Sequence, residues 1–247
     1  MTDERREGAF RNIKSYVLRG GRVSKGQQRA VDTLYPRYCI PYRENELDIR
    51  DLGGTSPGID VPQEIVVEIG FGMGDATARI AERNPTIRYL GIEVFLAGVG
   101  ALMSELERRE LDNVRIIRHD AVDVVRTMIP DGWVSGFHVF FPDPWHKKRH
   151  HKRRLIQPPF LEQLQSRLKP GGLLHLATDW EDYALQMMSV LGEARGWRNR
   201  YGEQRYAPRL GCRPPTNFER RGERMGHGVW DLMFERTTEV ESPAPVK

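Results

Sequence analysis

Residues 65 to 75 read Ile-Val-Val-Glu-Ile-Gly-Phe-Gly-Met-Gly-Asp, an apolar run of strand length that breaks into three alternating glycines before an acid. The apolar part suits a strand buried on both faces. Gly70, Gly72 and Gly74 then form a turn that lets the backbone approach a ligand, with a helix starting near Asp75. A dinucleotide fingerprint would carry glycine or alanine at 75, and a phosphate loop would add Gly-Lys-Ser or Gly-Lys-Thr. Neither is present, which disfavours a nicotinamide cofactor and argues against ATP hydrolysis.

Working outward, similar apolar runs recur at 88–94, 114–118, 137–141 and 173–178. Phe95, Val99, Leu102, Met103 and Leu106 follow helical spacing between the second and third runs. Phe160, Leu164 and Leu168 do the same before the fifth, and a further helix is expected near Asp182. Strands alternating with helices predict an α/β, Rossmann-like fold with a mainly parallel central sheet and helices on both faces. In such sheets ligands sit beyond the carboxyl ends of the strands, where strand order reverses.

Acids stand at those ends: Glu68 in the first run, Glu93 closing the second, Asp120 after the third. A carboxylate after a second strand suits ribose hydroxyls, and one after a third suits an adenine amine. Glu68 suits a cationic amino acid group, whereas a pyrophosphate beside three acids would be repelled. The ordering predicts a positively charged nucleoside cofactor, S-adenosyl-L-methionine. Taken singly, each acid is more often a cap or a solvated strand-end residue.

The 247 residues are 39% hydrophobic and 29% charged, enough apolar content for one packed core. Two cysteines, Cys39 and Cys212, make neither a disulfide framework nor a metal motif. With no signal-like start and no membrane-length apolar run, a soluble cytoplasmic protein is expected. Residues 1–60 read as a polar, irregular, basic and partly disordered extension, a solvated tail or an RNA contact. The catalytic domain is expected over 61–236, with a boundary near Pro62, and a disordered tail over 237–247. The net charge of +4 is mild, so a polyanionic partner must be sought in the distribution of cations.

That distribution peaks in FFPDPWHKKRHHKRRL, residues 140–155. Pro142 and Pro144 restrict the backbone around Asp143, holding that carboxylate at the pocket edge. Lys147, Lys148, Arg149, Lys152, Arg153 and Arg154 follow with no acid among them, a natural phosphate-binding surface. A solvated basic loop is the plainer reading, but attachment to a proline-framed acid favours RNA contact. His146, His150 and His151 lie among cations that oppose a divalent ion, so no metal is expected and they read as surface histidines or phosphate contacts.

Together EIGFGMG at 68–74, GIEV at 91–94, the 140–155 segment, ATDW at 177–180 and PTNFERRG at 215–222 closely resemble the bacterial single-chain tRNA (guanine-N7-)-methyltransferases. The resemblance spans roughly residues 10–236. It implies a class I S-adenosylmethionine-dependent methyltransferase fold, with Glu68, Gly70, Gly72, Glu93, Asp120 and Asp143 around the cofactor and Asp143 as the active-site residue. It also implies that Lys147, Asp179, Thr216, Asn217, Phe218 and Glu219 hold the substrate. Arg149, His150, His151, Lys152, Arg153 and Arg154 would contact tRNA, whose target is the variable-loop guanosine at tRNA position 46. The family commonly has a cation where Asn217 stands, so a charge contact there is in doubt.

Glu219 or Asp179 is expected to accept hydrogen bonds from guanine N1 and N2, and Phe218 or Trp145 to offer a stacking face. Ordinary packing, a helix cap at Asp179 and a turn at Thr216 are the alternatives. An adenine or cytosine amino-methyltransferase would resemble Asn-Pro-Pro-Tyr or Asp-Pro-Pro-Tyr at this place, whereas Asp143-Pro144-Trp145 lacks the second proline and the tyrosine. An RNA-binding module without catalysis would be expected to lose the cofactor acids. No obligate protein partner is indicated, and a monomer or homodimer is expected.

Overall fold

A computed structural model describes residues 14–16, 22–53, 64–208, 213–214, 219 and 228–238. Within them the strands are β1 (Glu64–Ile69), β2 (Ile87–Ile92), β3 (Val114–Ile117), β4 (Val134–Phe140), β5 (Leu168–Thr178), β6 (Trp197–Asn199) and β7 (Trp230–Arg236). They form a seven-stranded sheet in the order β3-β2-β1-β4-β5-β7-β6. The first five are mutually parallel, while β7 runs antiparallel to both β5 and β6. The strand order reverses between β1 and β4, so their carboxyl ends flank the switch point where ligands bind in open α/β sheets. Glu68 pairs with His138 across that boundary.

The helices are α1 (Lys25–Tyr38), α2 (Asp75–Arg83), α3 (Leu96–Arg108), α4 (Ala121–Thr127), α5 (Pro158–Arg167) and α6 (Glu181–Glu193). Strand residues alternate between two apolar cores, as the period of two requires. Ile65, Val67 and Ile69 join one core with Val124 of α4, Leu164 of α5 and Met187 of α6. Val66 joins the other with Ala78 of α2, Leu102 of α3 and Ala30 of α1. Helices therefore cover both faces, in agreement with the sequence reading.

Three expectations change. Residues 25–38 form a helix where the sequence reads as irregular, because Ser24 and Gln27 close a capping box: Ser24 Oγ accepts from Gln27 N at 3.2 Å and Ser24 N donates to Gln27 Oε1 at 2.8 Å. Tyr38 is fully buried, Leu47 and Leu52 nearly so, so this stretch contributes to the core. Leu168, which the spacing assigns to a helix, begins β5. Its apolar side chain fills the same core from either conformation, which is why spacing alone misplaces it. β6 and β7 are absent from the expected strands: β6 has only three residues, and β7 carries charged residues among its apolar ones.

Candidate active site

β1 carries Glu68 to the switch point with 3% of the residue exposed. Burial, with the like charge of Glu93 adding to it, pushes its carboxyl up to about 7. Glu68 Oε2 and the buried Thr77 hydroxyl lack a well-formed hydrogen bond among the described residues. The two groups are neighbours, and the Thr77 hydroxyl pulls the Glu68 pKa down against burial, but so imperfect a contact leaves the carboxylate able to take a further donor or a cation.

The glycine turn follows. Gly70 and Gly72 have φ of 76° and 59°, and a Cβ at either would point into open space. A Cβ at Gly98 of α3 would collide with the Gly72 carbonyl oxygen, so a glycine there lets the helix abut the turn. Glu93, buried one residue past β2, ties the same turn down. Its Oε2 accepts from Gly72 N at 2.9 Å, and Oε1 accepts from Val94 N at 2.7 Å and Phe95 N at 3.1 Å. Burial raises the Glu93 pKa, these amides oppose it, and the charge of Asp143 adds to the rise.

Asp143 is exposed, three residues beyond β4. Phe141 and Trp145, with φ of 53° and 49°, bracket the Pro-Asp-Pro turn in left-handed conformations that cost on the order of 1–3 kcal/mol each. Glu68, Glu93 and Asp143 thus form one electrostatic group, each raising its neighbour's cost of ionisation. A cationic ligand relieves that cost, and the incompletely satisfied Glu68 carboxylate and open glycine face fit the sulfonium and ammonium groups of S-adenosylmethionine.

Asp120 stands two strands from β1, about 10 Å along the sheet. It caps α4, Oδ1 accepting from Val122 N at 3.0 Å. It also lines a cavity of about 210 Å³ with Lys14, Ser15, Lys152, Arg153 and Arg154. The basic run therefore opens beside a predicted cofactor acid. Asp179 follows β5 but does not cap α6, whose N-cap is Trp180 without a side-chain cap.

Comparison with known proteins decides the family. A family model described as "Putative methyltransferase" matches residues 62–232. A tRNA (guanine-N(7)-)-methyltransferase of Thiobacillus denitrificans is 53% identical over 229 residues, covering 93% of this chain and 97% of that protein. One of Hydrogenovibrio crunogenus is 50% identical over 226 residues, covering 92% of each. The chain belongs to the tRNA (guanine-N(7)-)-methyltransferase family. Among solved structures, the 16S rRNA methyltransferase KamB aligns with a TM-score of 0.51 at 18% identity, covering 71% of this chain and 88% of that one, a likeness of fold alone.

In this tRNA (guanine-N(7)-)-methyltransferase family member, Lys147, Lys148, Arg149 and Lys152 are exposed on and before a 3-10 helix, Lys148–Arg153, with His150 and His151 partly exposed. The Arg153 guanidinium lies 4.8 Å from the Trp145 ring centroid, and Trp145 Nε1 donates to the Ser15 carbonyl at 3.0 Å. Trp145 is thus held from two sides at the pocket rim. Arg154 departs from the expected RNA-facing set: its side chain is 1% exposed and turned inward, because five partners gather there, His151 among them.

Thr216, Asn217 and Phe218 lie outside the described residues. Glu219 is 1% exposed and in a two-pronged ion pair with Arg213, at 2.7 and 3.1 Å. Its carboxylate is held by that guanidinium, so a hydrogen bond from guanine would use the remaining lone pairs of the same oxygens. Arg213 also binds Asp231 through Nε at 3.1 Å and Nη2 at 3.0 Å, and Asp231 pairs with His175 at 2.8 Å. Arg213 packs on Phe141, 5.3 Å from its ring centroid, directly before the Pro-Asp-Pro turn. Sequence reasoning missed Arg213, Asp231 and His175. The available signal was a charged or polar residue inside each of two apolar strands, His175 in LLHLAT and Asp231 in WDLMF.

Proposed function

We propose that the chain transfers the methyl group of S-adenosyl-L-methionine to N7 of a guanosine in tRNA, the variable-loop guanosine at position 46, giving N7-methylguanosine. The observation that carries this reading is the placement of Asp143 beside two buried acids at the switch point, on a turn that runs straight into exposed cations. The bound cofactor supplies an electrophilic methyl on a sulfonium, which guanine N7 takes with its in-plane lone pair, forming an N–C bond as the C–S bond breaks. N7 carries no proton, so no general base is needed for attack.

The residues then act by placement and charge. Glu68 and Glu93 offer carboxylate oxygens to the cationic donor, the latter also fixing the glycine turn through Gly72. Asp120 is assigned to the adenine end. Asp143 sits between donor and base, offsetting positive charge as it passes from sulfur to purine. Holding the reactants in line is worth about 7–11 kcal/mol in favourable systems. Asp179, freed of a capping role, takes guanine recognition, with Thr216, Asn217 and Phe218 assigned to the same substrate and Trp145 as a face on which a base stacks. Lys147, Arg149, His150, His151, Lys152 and Arg153 hold the phosphates of the tRNA. The division at residues 61 and 237 and a cytoplasmic location belong to the same reading; no described helix is long and apolar enough to cross a membrane.

Incubating the purified protein with labelled S-adenosylmethionine and unmodified tRNA, then identifying the methylated nucleoside, tests the proposal. N7-methylguanosine supports it; label in N6-methyladenosine, or no label, removes it.

A further inference from the structure

We infer that Arg154 is a positioning residue for the turn that carries Asp143, and not a phosphate contact of the basic run in which it lies. The other five cations of that run are exposed or partly so, but its own side chain is 1% exposed. Nε donates to the Pro144 carbonyl oxygen at 2.8 Å, Nη1 to Gln186 Oε1 at 2.8 Å, and Nη2 to the Asp182 carboxylate. The guanidinium lies 4.8 Å from the Tyr183 ring centroid. A phosphate would have to displace these partners to reach it.

Besides His151 Nε2, 3.1 Å from Nη2, four partners hold the guanidinium; three of them belong to the first two turns of α6, and that platform is anchored. Tyr183 is fully buried and its hydroxyl accepts from Ile156 N at 3.2 Å; Gln186 Nε2 donates to Ile156 O at 3.1 Å. The fourth partner is the carbonyl of the residue next to Asp143. Pro142 and Pro144 have no amide hydrogen, so a carbonyl is the handle by which that backbone can be held. Left-handed Phe141 and Trp145 on either side persist when the surroundings over-determine them. Arg154 supplies such a restraint from α6. Lysine cannot replace it, because an ammonium lacks the planar fork that meets three acceptors and stacks on Tyr183.

The inference rests on the methyl-transfer reading of Asp143, and its test separates the two. In the full-length protein, Arg154→Lys and Arg154→Met are compared with wild type for tRNA affinity across salt concentration, kcat, KM and melting temperature. Both variants are expected to keep the wild-type salt slope and a KM for tRNA within about twofold, while kcat falls about 100-fold, the loss typical of an ångström-scale misplacement. A slope reduced by about 0.7–0.9 would mean that Arg154 holds a phosphate and would overturn the inference. So would wild-type kcat in Arg154→Lys, or a loss of kcat that merely follows the unfolded fraction. If Arg154→Met does not fold, Arg154→Lys decides alone. Absence of guanine N7 methylation by the wild type defeats the functional reading instead, and the salt slope still reports on phosphate binding by this side chain.

Discussion

Glu68 shows how one side chain couples the cofactor to pH. Its folded pKa of about 7 lies above the ordinary 4.5, so the folded state holds an extra proton between those values. The sign follows: this contribution to stability is complete below about pH 4.5, declines as pH rises to about 7, and is lost above it. Its size is on the order of 3 kcal/mol. Glu68→Gln is expected to be more stable than wild type at pH 8 and to lose that slope, as urea denaturation at several pH values will show. Because a cation favours the ionised carboxylate, cofactor binding at pH 7 should release up to about half a proton from Glu68 in wild type and none in Glu68→Gln, measured by calorimetry in two buffers. Asp143 is the opposite case, exposed and costing little to remove. Asp143→Ala should keep its melting temperature, with stability changed by about 0.5 kcal/mol or less, while kcat falls by about 10²–10³; full activity would take it out of the mechanism.

At the scale of elements, the 3-10 helix Lys148–Arg153 converts a charge run into an oriented surface. Three residues per turn stack the exposed Arg149 and Lys152 on one edge, while the chain turns Arg154 inward. Neutralising Arg149, Lys152 and Arg153 together should lower the logarithmic salt slope of tRNA binding by about 0.7–0.9 for each phosphate no longer neutralised, with little change in folding. An unchanged slope would make these residues spectators. The glycine turn between β1 and α2 is an element of the second kind, shaped from outside: Gly98 admits α3 against it and Glu93 pins its amide.

Across the whole molecule, one buried network joins β5, β7 and the segment at 213–219: His175, Asp231, Arg213 and Glu219. Burial alone would raise the Asp231 pKa, but His175 and Arg213 hold it below the ordinary value. Asp231→Ala leaves Arg213 and His175 buried with a partner missing. The expected cost is about 3–5 kcal/mol, visible in chemical denaturation. It should be accompanied by weaker substrate binding, since the same network holds Arg213 and Glu219, which flank in sequence the residues proposed to hold the substrate.

Much of this was legible in the chain itself. The parallel strands, the glycine turn and the order of acids depend on residues within a few positions of one another, and local periodicity reports them. Likewise, prolines around Asp143 announce a rigid turn wherever that turn lies. Four features depended on tertiary packing: the burial of the locally capped helix at 25–38, the antiparallel β7, the inward turn of Arg154 and the capture of Glu219 by Arg213. Each is set by partners distant in sequence, such as α3 beneath α1 or α6 beneath Arg154, and a cation reads alike in sequence whether it faces solvent or an aromatic ring. Chemistry was written in local order; which charges remain available to a ligand was settled by what the fold brought against them.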